Sequence, residues 1–322
     1  MCDVGFKTGK VIDMSKKSAF IALLGRANVG KSSLLNSIIG TKVAIVSDKP
    51  QTTRTRIMGV LNEGENQYVF IDTPGFHKPK NLLDDRMNKA VYSGIADVDA
   101  VVLVVDAVPE FKFDFESLPK AEEELLKNIF SRKIPCVLVI NKIDLLKEKK
   151  QLLHIIEAYT NKYSFNAVVP LSAKTGDGVG ILKTEIAQFL KISPHYFSDD
   201  DYTDQPDKAF VCEIIREKLL MLLSKEVPHG IAVDVERFFE SDNKIGDPVV
   251  NIEAVIYCER DSHKGIIIGK GGTMLKRAGM LARYDLEKFF GTKISLKLWV
   301  KVKEDWRNRA AIIKSLGLDN LS

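Results

Sequence analysis

The chain has 322 residues, of which 28% are charged and 45% hydrophobic, and its formal net charge is +4. These values are typical of a globular protein with two domains. No apolar run approaches the roughly 20 residues of a membrane-spanning helix, and the four cysteines lack C-x-x-C spacing. Residues 1–18 contain no apolar core of a signal peptide, so we expect a short flexible arm and a cytoplasmic protein.

The first predicted elements enclose a phosphate-binding loop. Residues 20–24 are an apolar run typical of a buried strand, and residues 34–39 carry apolar positions at helical spacing up to Gly40. Between them, residues 25–32 fit G-x-x-x-x-G-K-[ST], a loop that directs backbone N–H groups and a helix dipole at polyphosphate. The residues predicted to bind the nucleotide here are Gly25, Asn28, Val29, Gly30, Lys31, Ser32 and Ser33.

Two segments downstream are predicted to complete the phosphate site. A predicted strand, residues 68–71, ends in Asp72-Thr73-Pro74-Gly75, where a carboxylate can hold Mg²⁺ and the Gly75 N–H can meet the γ-phosphate. Residues 51–54 form a polar stretch predicted between two strands, and the Thr53 hydroxyl would close the Mg²⁺ shell only when GTP is bound. The predicted metal ligands are Ser32, Thr53 and Asp72, and the predicted catalytic groups are Lys31, Thr53 and Gly75.

Two further strand ends predict which base is bound. Residues 137–140 lead into Asn141-Lys142-Ile143-Asp144, and the Asp144 carboxylate can accept from both guanine N1–H and the exocyclic amine. Adenine offers no such pair of donors, so a site built for them rejects it. We therefore predict GTP or GDP, held by Asn141, Lys142, Asp144, Ser172, Ala173 and Lys174 in addition to Asp72 and Gly75.

The position after Gly75 bears on the rate of hydrolysis. Ras-like enzymes orient the attacking water with a glutamine there, whereas this chain has Phe76 followed by His77. Phe76 cannot hydrogen-bond to water, and we interpret His77 as a solvated residue. The prediction is slow intrinsic hydrolysis that depends on a partner, an ion or a rearranged loop.

The chain is predicted to divide at an acidic stretch with two prolines, residues 193–206. The domain before it, residues 19–192, alternates strands with helices and is predicted to be a doubly wound, mostly parallel α/β sheet. The domain after it, residues 207–322, is predicted to be a smaller α+β module. Its elements are a helix over 208–224, strands over 231–240 and 249–259, a helix over 273–290 and a strand over 293–302.

The second domain contains a G-x-x-G loop at residues 269–272, as in KH domains, where it joins two helices and clamps single-stranded nucleic acid. Residues 260–309 hold 13 Lys and Arg against 5 Asp and Glu, a net charge of +8. Isoleucines before the loop are predicted to form an apolar floor for the bases, and Trp299 to pack within its strand. The predicted RNA contacts are Ile268, Gly269, Lys270, Gly271, Gly272, Lys276 and Arg277.

These motifs resemble the Era family of bacterial GTPases, over nearly the whole chain beyond the amino-terminal arm. The resemblance is carried by G-R-x-N-V-G-K-S at 25–32, P-Q-T-T-R at 50–54, D-T-P-G-F-H at 72–77 and the KH-type second domain. Ala27 stands where family members usually have proline, at a spacer position. The resemblance implies binding to the 3′ end of 16S ribosomal RNA and a role in small-subunit assembly. It also implies K⁺ beside the phosphates at Asn28, a monomer, and peripheral contact with the inner face of the cell membrane.

Three functions fit the residues. The leading one is an RNA-binding GTPase whose nucleotide state gates RNA binding. The second is a GTPase of tRNA modification or of a membrane process, with the KH-like half as an adaptor. The third is a non-catalytic GTP-sensing scaffold, which Phe76 leaves open. Crosslinked RNA separates the first two, and GTP turnover with and without RNA separates the third.

Overall fold

The computed structural model describes residues 15–49, 51–76, 79–94, 97–107, 118–224, 227–242 and 246–319. Two sheets form within these ranges, one of seven strands and one of three. The predicted fold class, a doubly wound and mostly parallel α/β domain followed by a smaller α+β domain, is confirmed. None of the helices in these ranges is long and apolar enough to cross a bilayer.

The larger sheet places the site at one edge. Its strands are β1 (Lys17–Leu24), β2 (Ile57–Glu63), β3 (Asn66–Asp72), β4 (Ala100–Asp106), β5 (Cys136–Asn141), β6 (Ala167–Pro170) and β7 (Lys191–Ile192). The order is β2-β3-β1-β4-β5-β6, with β2 antiparallel to β3 and the others of this series parallel. Because β1, β3 and β5 are parallel, their carboxyl ends bring the loops that follow them to the same edge.

Helices cover both faces of this sheet, which explains why its central strands are apolar throughout. They are α1 (Lys31–Ile39), α2 (Leu82–Ser93), α3 (Lys120–Ser131), α4 (Lys149–Thr160) and α5 (Val179–Ile186). One core contains Leu34 and Leu35 of α1 with α5, and the other contains Leu125 of α3 with Ile155 of α4. β1 begins at Lys17 and pairs there with β7, so the last two residues of the predicted arm belong to the sheet.

The second domain packs helices on one face of a three-stranded sheet. Its elements are α6 (Asp207–Leu222), β8 (Ala232–Asp242), β9 (Pro248–Cys258), α7 (Asp261–Ile268), α8 (Thr273–Phe290), β10 (Lys293–Val302) and α9 (Ala310–Ser315). The strand order is β10-β9-β8, with β9 and β10 parallel. The bounds of α8 and β10 agree with the prediction, because glycines with left-handed backbone, Gly272 and Gly291, flank the helix.

The predicted linker, residues 193–206, lies along the edge strand β2. The N–H of Val60 donates to the carbonyl of Tyr202 at 2.9 Å, so the linker covers a strand edge that would otherwise be unpaired. The buried side chain of Gln67 accepts from the N–H groups of Tyr196 (2.7 Å) and Phe197 (3.1 Å), and its amide donates to the Phe197 carbonyl at 3.0 Å. This connection is therefore held to the first domain by specific hydrogen bonds.

The two domains also share apolar side chains. Leu83 and Met87 of α2 pack with Ala232, Trp306 and Ile313 of the second domain, and all five are buried. The indole N–H of Trp306 donates to the carbonyl of Gly230 at 2.9 Å. Because α2 follows the Asp72–Gly75 loop, this contact connects the second domain to the edge of the nucleotide site.

Replacing Gln67 should weaken the attachment of the linker. In Gln67→Ala, the N–H groups of Tyr196 and Phe197 lose their acceptor, and leaving such groups without partners should lower the free energy of unfolding by about 1–3 kcal/mol. Urea denaturation measures this change, and hydrogen exchange should show faster exchange at these two amides.

Gln188→Ala is the matched control, because Gln188 is exposed and donates only to a carbonyl within its own helical turn. It should change neither measurement appreciably. Equal protection of the Tyr196 and Phe197 amides in Gln67→Ala and wild type would contradict this view of the linker.

Candidate nucleotide and RNA sites

The loop between β1 and α1 has the backbone that a phosphate cradle requires. Gly25 and Gly30 have positive φ angles of 146° and 96°, and Asn28 has a φ of 64°. A Cβ on Gly30 would lie 2.3 Å from Nδ2 of Asn141, so only glycine permits this close approach. The predicted phosphate-side residues share a cavity of about 50 Å³, whose lining includes Asn28, Gly30, Lys31, Ser32, Ser33, Thr53 and Gly75.

Lys31 lies over this loop as a buried cation. Its Nζ donates to the carbonyl oxygens of Gly25 (3.1 Å) and Arg26 (3.0 Å). Burial lowers the pKa of Lys31 to about 8, against the opposing effect of the Asp72 carboxylate. A polyphosphate placed here would stabilise the charged ammonium, so the electrostatics of the loop favour an anionic ligand.

Ser32, Thr53 and Asp72 meet beside the loop. Asp72 Oδ2 accepts from Ser32 Oγ at 2.6 Å and from Thr53 Oγ1 at 3.3 Å, and the two hydroxyl oxygens are 2.9 Å apart. Asp72 is fully buried, and its Oδ1 has no hydrogen-bond partner. Burial raises the pKa of Asp72, although Lys31 and the two hydroxyls act the other way. Oxygen donors around a buried carboxylate with an unused oxygen suit a hard cation such as Mg²⁺.

Gly75 packs directly against the phosphate loop. A Cβ at this position would lie 2.5 Å from Cα of Ala27. The N–H of Phe76 donates to the Gly25 carbonyl at 3.4 Å, and the Phe76 ring packs edge-on against Tyr92 with centroids 5.8 Å apart. Phe76 is therefore a packing residue that offers no hydrogen bond to an attacking water. His77 lies outside the described residues.

Asn141 connects three loops of the nucleotide site. Its Nδ2 donates to the carbonyl of Val29 at 2.8 Å, which ties the β5 loop to the phosphate loop as predicted from the motif. Its Oδ1 accepts from the N–H groups of Lys142 (2.8 Å) and Ala173 (2.9 Å). One buried side chain therefore fixes the relative positions of the phosphate and base contacts.

The predicted base contacts gather around Asp144. Ser172 Oγ donates to Asp144 Oδ1 at 2.6 Å, while Asp144 itself remains exposed toward solvent. Lys142 Nζ pairs with Asp106 at 2.5 Å, which holds its aliphatic stem across this loop. Ala173 and Lys174 line a cavity of about 980 Å³ that opens between α1 and the second domain, and Asp144 is not part of its lining.

Residues 51–54, the switch segment, precede β2 and follow α1, so the expectation that they join two strands is wrong. In the apolar run before them, residues 43–46, the first three residues are buried by packing rather than by pairing, whereas Val46 is 39% exposed. Ile45 belongs to the core of the second domain, and the N–H of Val46 donates to Glu217 of α6 at 2.9 Å. This loop is therefore shaped by the second domain.

Two buried arginines bind the switch segment to the second domain. Arg54 donates from Nη1 to the carbonyl of Ile231 at 2.6 Å and from Nη2 to that of His229 at 3.0 Å. Arg216 of α6 donates from Nη1 to the carbonyl of Gln51 at 3.4 Å and from Nη2 to that of Thr52. Sequence reasoning missed Arg216, because it lies more than 160 positions from its partners and no local pattern marks it.

The G-x-x-G loop joins α7 to α8, as predicted. Gly269, Gly271 and Gly272 have φ angles of 72°, 60° and 78°. A Cβ on Gly269 would lie 2.7 Å from Cβ of Met274, whereas Gly271 has open space around it. Lys270 at the tip is exposed, so a phosphate backbone can approach both its ammonium and the loop N–H groups.

A groove of about 410 Å³ runs from this loop between α8 and β10. It contains Gly272 and Lys276 of the predicted set and residues that the sequence did not single out as contacts: Leu275, Gly279, Met280, Arg283, Leu296 and Leu298. The apolar side chains of this groove offer a floor beside the loop, and of the isoleucines predicted to form one, Ile266 is 49% exposed. Ile267 is instead fully buried in the core, Ile268 packs partly against it, and Arg277 is exposed on α8 outside the groove lining.

The two tryptophans differ in exposure, and Trp299 does not lie where it was predicted. Trp299, predicted to pack within its strand, is 42% exposed, whereas Trp306 is fully buried. The alternation along β10 explains this result, because the neighbours Leu298 and Val300 point toward the helices and Trp299 points away.

These sites define a P-loop GTPase that carries a KH domain. A family model described as a 50S ribosome-binding GTPase matches residues 20–142, and one described as a KH domain matches residues 226–307. The chain is 46% identical over 305 residues to the GTPase Era of Ruminiclostridium cellulolyticum, covering 94% of this chain and 98% of the relative. It is 45% identical to that of Clostridioides difficile, covering 94% and 99%.

Solved structures agree with these relatives. A crystal structure of Era in complex with MgGDPNP and nucleotides 1506–1542 of 16S ribosomal RNA superposes with a TM-score of 0.86 at 36% identity, covering 94% of this chain and 99% of that one. A point variant of Aquifex aeolicus Era bound to GDP.AlF4⁻ gives the same values. The chain belongs to the Era family of GTPases.

Asp144→Asn should move base preference from GTP toward xanthosine triphosphate. The amide keeps the oxygen that accepts from Ser172 but offers a donor where xanthine has an extra carbonyl. Loss of the charged contact should cost GTP about 1.5–3 kcal/mol, or about 10- to 150-fold in affinity. Competition binding with labelled GDP measures both nucleotides.

Asp177→Asn is the control for this variant, since Asp177 is an exposed carboxylate on the same loop side of the sheet. GTP affinity that stays within twofold of wild type in Asp144→Asn would rule out the assigned role of Asp144.

Proposed function

We propose that this GTPase binds the 3′ end of 16S ribosomal RNA during assembly of the small ribosomal subunit and that its nucleotide state gates this binding. A relative of known structure holds a GTP analogue and this end of 16S ribosomal RNA at the same time. The groove between α8 and β10 and the basic G-x-x-G loop supply the surface for the RNA here. Ribosomal subunits are assembled in the cytoplasm, where we place the protein.

The position of the switch segment between the nucleotide site and the second domain supports the proposed gating. Thr53, at 7% exposure, faces Ser32 and Asp72 of the nucleotide site. Its neighbours Thr52 and Arg54 hydrogen-bond to the second domain. A movement of Thr53 therefore strains contacts that hold the RNA-binding domain in place.

The nucleotide controls this position through charge. When Mg²⁺ and a γ-phosphate are bound, Mg²⁺ neutralises the polyphosphate, and Ser32, Thr53 and Asp72 are the residues that would hold it. Lys31 and the Gly75 N–H stabilise the γ-phosphate side, and Asn141, Asp144 and the Ser172–Lys174 loop bind the base. After hydrolysis Thr53 loses its phosphate-side partner, and the switch segment is free to leave the second domain.

We further propose that K⁺ assists hydrolysis beside Asn28. The Asn28 side chain donates from Nδ2 to the carbonyl of Asp48 at 2.8 Å, which directs it across the mouth of the phosphate loop. Its side-chain oxygen and the carbonyls of this loop are ligands that suit a monovalent cation. Such an ion would stabilise the negative charge that develops on the phosphate oxygens during hydrolysis.

Changing the G-x-x-G loop tests the RNA half of the proposal. Lys270→Asp combined with Gly271→Asp places two carboxylates where phosphates approach, and Gly271 has open space and a φ of 60° that aspartate tolerates. RNA binding should be lost while basal GTP hydrolysis stays within about twofold. Each lost phosphate contact should also reduce the slope of log affinity against log salt by roughly 0.7.

The RNA should be a fragment of the 16S 3′ end, measured by filter binding, and crosslinking in cell extract should recover that region. Recovery of tRNA instead would replace the proposed partner. Unchanged RNA affinity and salt slope in the folded double variant would exclude the loop as the binding site.

Arg216→Gln tests the gating. The amide is too short to reach both the Gln51 and the Thr52 carbonyls, so the switch segment should lose its tie to α6. In wild type, a GTP analogue and GDP should give different RNA affinities, and RNA should change the ratio of the affinities for the analogue and for GDP by the same factor. We expect the ratio of the RNA affinities measured with the analogue and with GDP to fall at least threefold in Arg216→Gln.

Lys208→Gln is the control, because Lys208 is exposed at the start of the same helix. It should leave the factor unchanged. If Arg216→Gln still binds each nucleotide and its ratio of RNA affinities equals that of wild type, gating through this contact is contradicted.

A further inference from the structure

The three-stranded sheet has one face that α6, α7 and α8 do not cover, and β10 connects that face to the RNA groove. β10 lies at the edge of the sheet, with β9 as its neighbour. Its alternate residues Leu296 and Leu298 line the groove beside α8. Lys297, Trp299 and Lys301 therefore point to the opposite face. A strand of RNA in the groove is separated from this face only by the width of β10.

The exposure of Trp299 is the unusual feature of this face. Its indole is 42% exposed, although it lies across from Val255 of β9, which is fully buried. Further along the same face, Tyr257 packs with the buried cluster around Trp306, so that end is covered by the last segment of the chain. The ring of Trp299 thus lies at the border between the covered and uncovered parts of the face.

Positive side chains surround the ring. Lys297 Nζ lies 3.2 Å from Glu253, and Lys301 Nζ lies 3.0 Å from Glu236, so these carboxylates orient the two ammonium groups beside Trp299. Arg237 of β8 approaches Glu253 at 3.7 Å, and Lys303 lies over the Tyr257 ring at 4.3 Å. Asp234 of β8, in register with Val255, adds a third carboxylate, so the face carries four cations against three carboxylates, an excess of one positive charge.

We propose that single-stranded RNA leaving the groove crosses the edge of β10 and stacks a base on Trp299, with Lys297 and Lys301 facing its phosphates. An exposed aromatic ring between cations is the arrangement that binds single strands without reading their sequence. Continuity with the groove and the sign of the charge favour RNA over an apolar protein partner. This inference rests on the proposed function, because it extends the same RNA beyond the G-x-x-G loop.

The extended contact predicts a difference between short and long RNA. A fragment of about four nucleotides fills the clamp of a KH loop, whereas a fragment of about ten nucleotides with the same central sequence also reaches β10. The chain has two tryptophans, and Trp306 is fully buried, so fluorescence quenching by a stacked base reports on Trp299. The longer RNA should quench the emission, and the shorter RNA should not.

Trp299→Ala should weaken binding of the longer RNA about tenfold and leave that of the shorter RNA unchanged, as expected for loss of one stacked base. Trp299→Phe should keep most of the affinity but lose the quenching. Phe239→Ala is the matched control, since Phe239 is a 47% exposed aromatic residue on β8, at the other edge of the sheet. It should affect neither RNA.

Unchanged affinity of Trp299→Ala for the longer RNA would overturn the proposal and leave this face to another partner. An equal loss for both RNAs would also overturn it, because Trp299 would then act through the groove. If neither RNA binds wild type, the proposed function fails and this inference fails with it. That result is distinct from a loss confined to the longer fragment.

Discussion

The structure depends above all on the hydrogen bonds that hold the switch segment between the two domains. Thr53 faces the carboxylate of Asp72, while the residues on either side of it bind to the second domain. The phosphate loop, the base loop and the RNA groove are each built by local motifs. This segment makes the nucleotide site and the position of the RNA-binding domain parts of the same arrangement.

The energetics favour two discrete states rather than a gradual change. Arg54 is 3% exposed, and separating the domains without rearranging it would leave a buried guanidinium without the carbonyls of His229 and Ile231. Its guanidinium also lies 5.6 Å from the ring centre of Trp306, which packs with Leu83 and Met87 of α2. Both segments that are predicted to flank the γ-phosphate therefore end at the same interdomain contact. A ligand that shifts one of them must shift the domain equilibrium as well.

The sequence predicted the parts of the fold that are locally encoded. The phosphate loop, the base loop and the bounds of α8 and β10 follow from glycine positions, strand ends and hydrophobic spacing. The contacts between the domains have no such signal, because Arg216 and the carbonyl of Thr52 are 164 positions apart. Trp299 was assigned to the interior on its apolar character, but the period of the strand places it outside. Residues 43–46 resemble a strand, yet Ile45 is buried in the core of the second domain and the Val46 N–H donates to Glu217 of α6, so contacts from elsewhere in the chain replace strand pairing.

Hydrogen exchange at the switch segment tests the coupling most directly. The protein is loaded with a non-hydrolysable GTP analogue, and amide exchange is compared with and without the 16S 3′-end fragment. Because the RNA is proposed to bind at α8 and β10, a change at residues 52–57 would have to pass through the interdomain contact. We expect RNA binding to slow amide exchange at residues 52–57 in wild type, and we expect no such slowing in Arg216→Gln. Slower exchange confined to the groove, with residues 52–57 unaffected in wild type, would contradict the coupling.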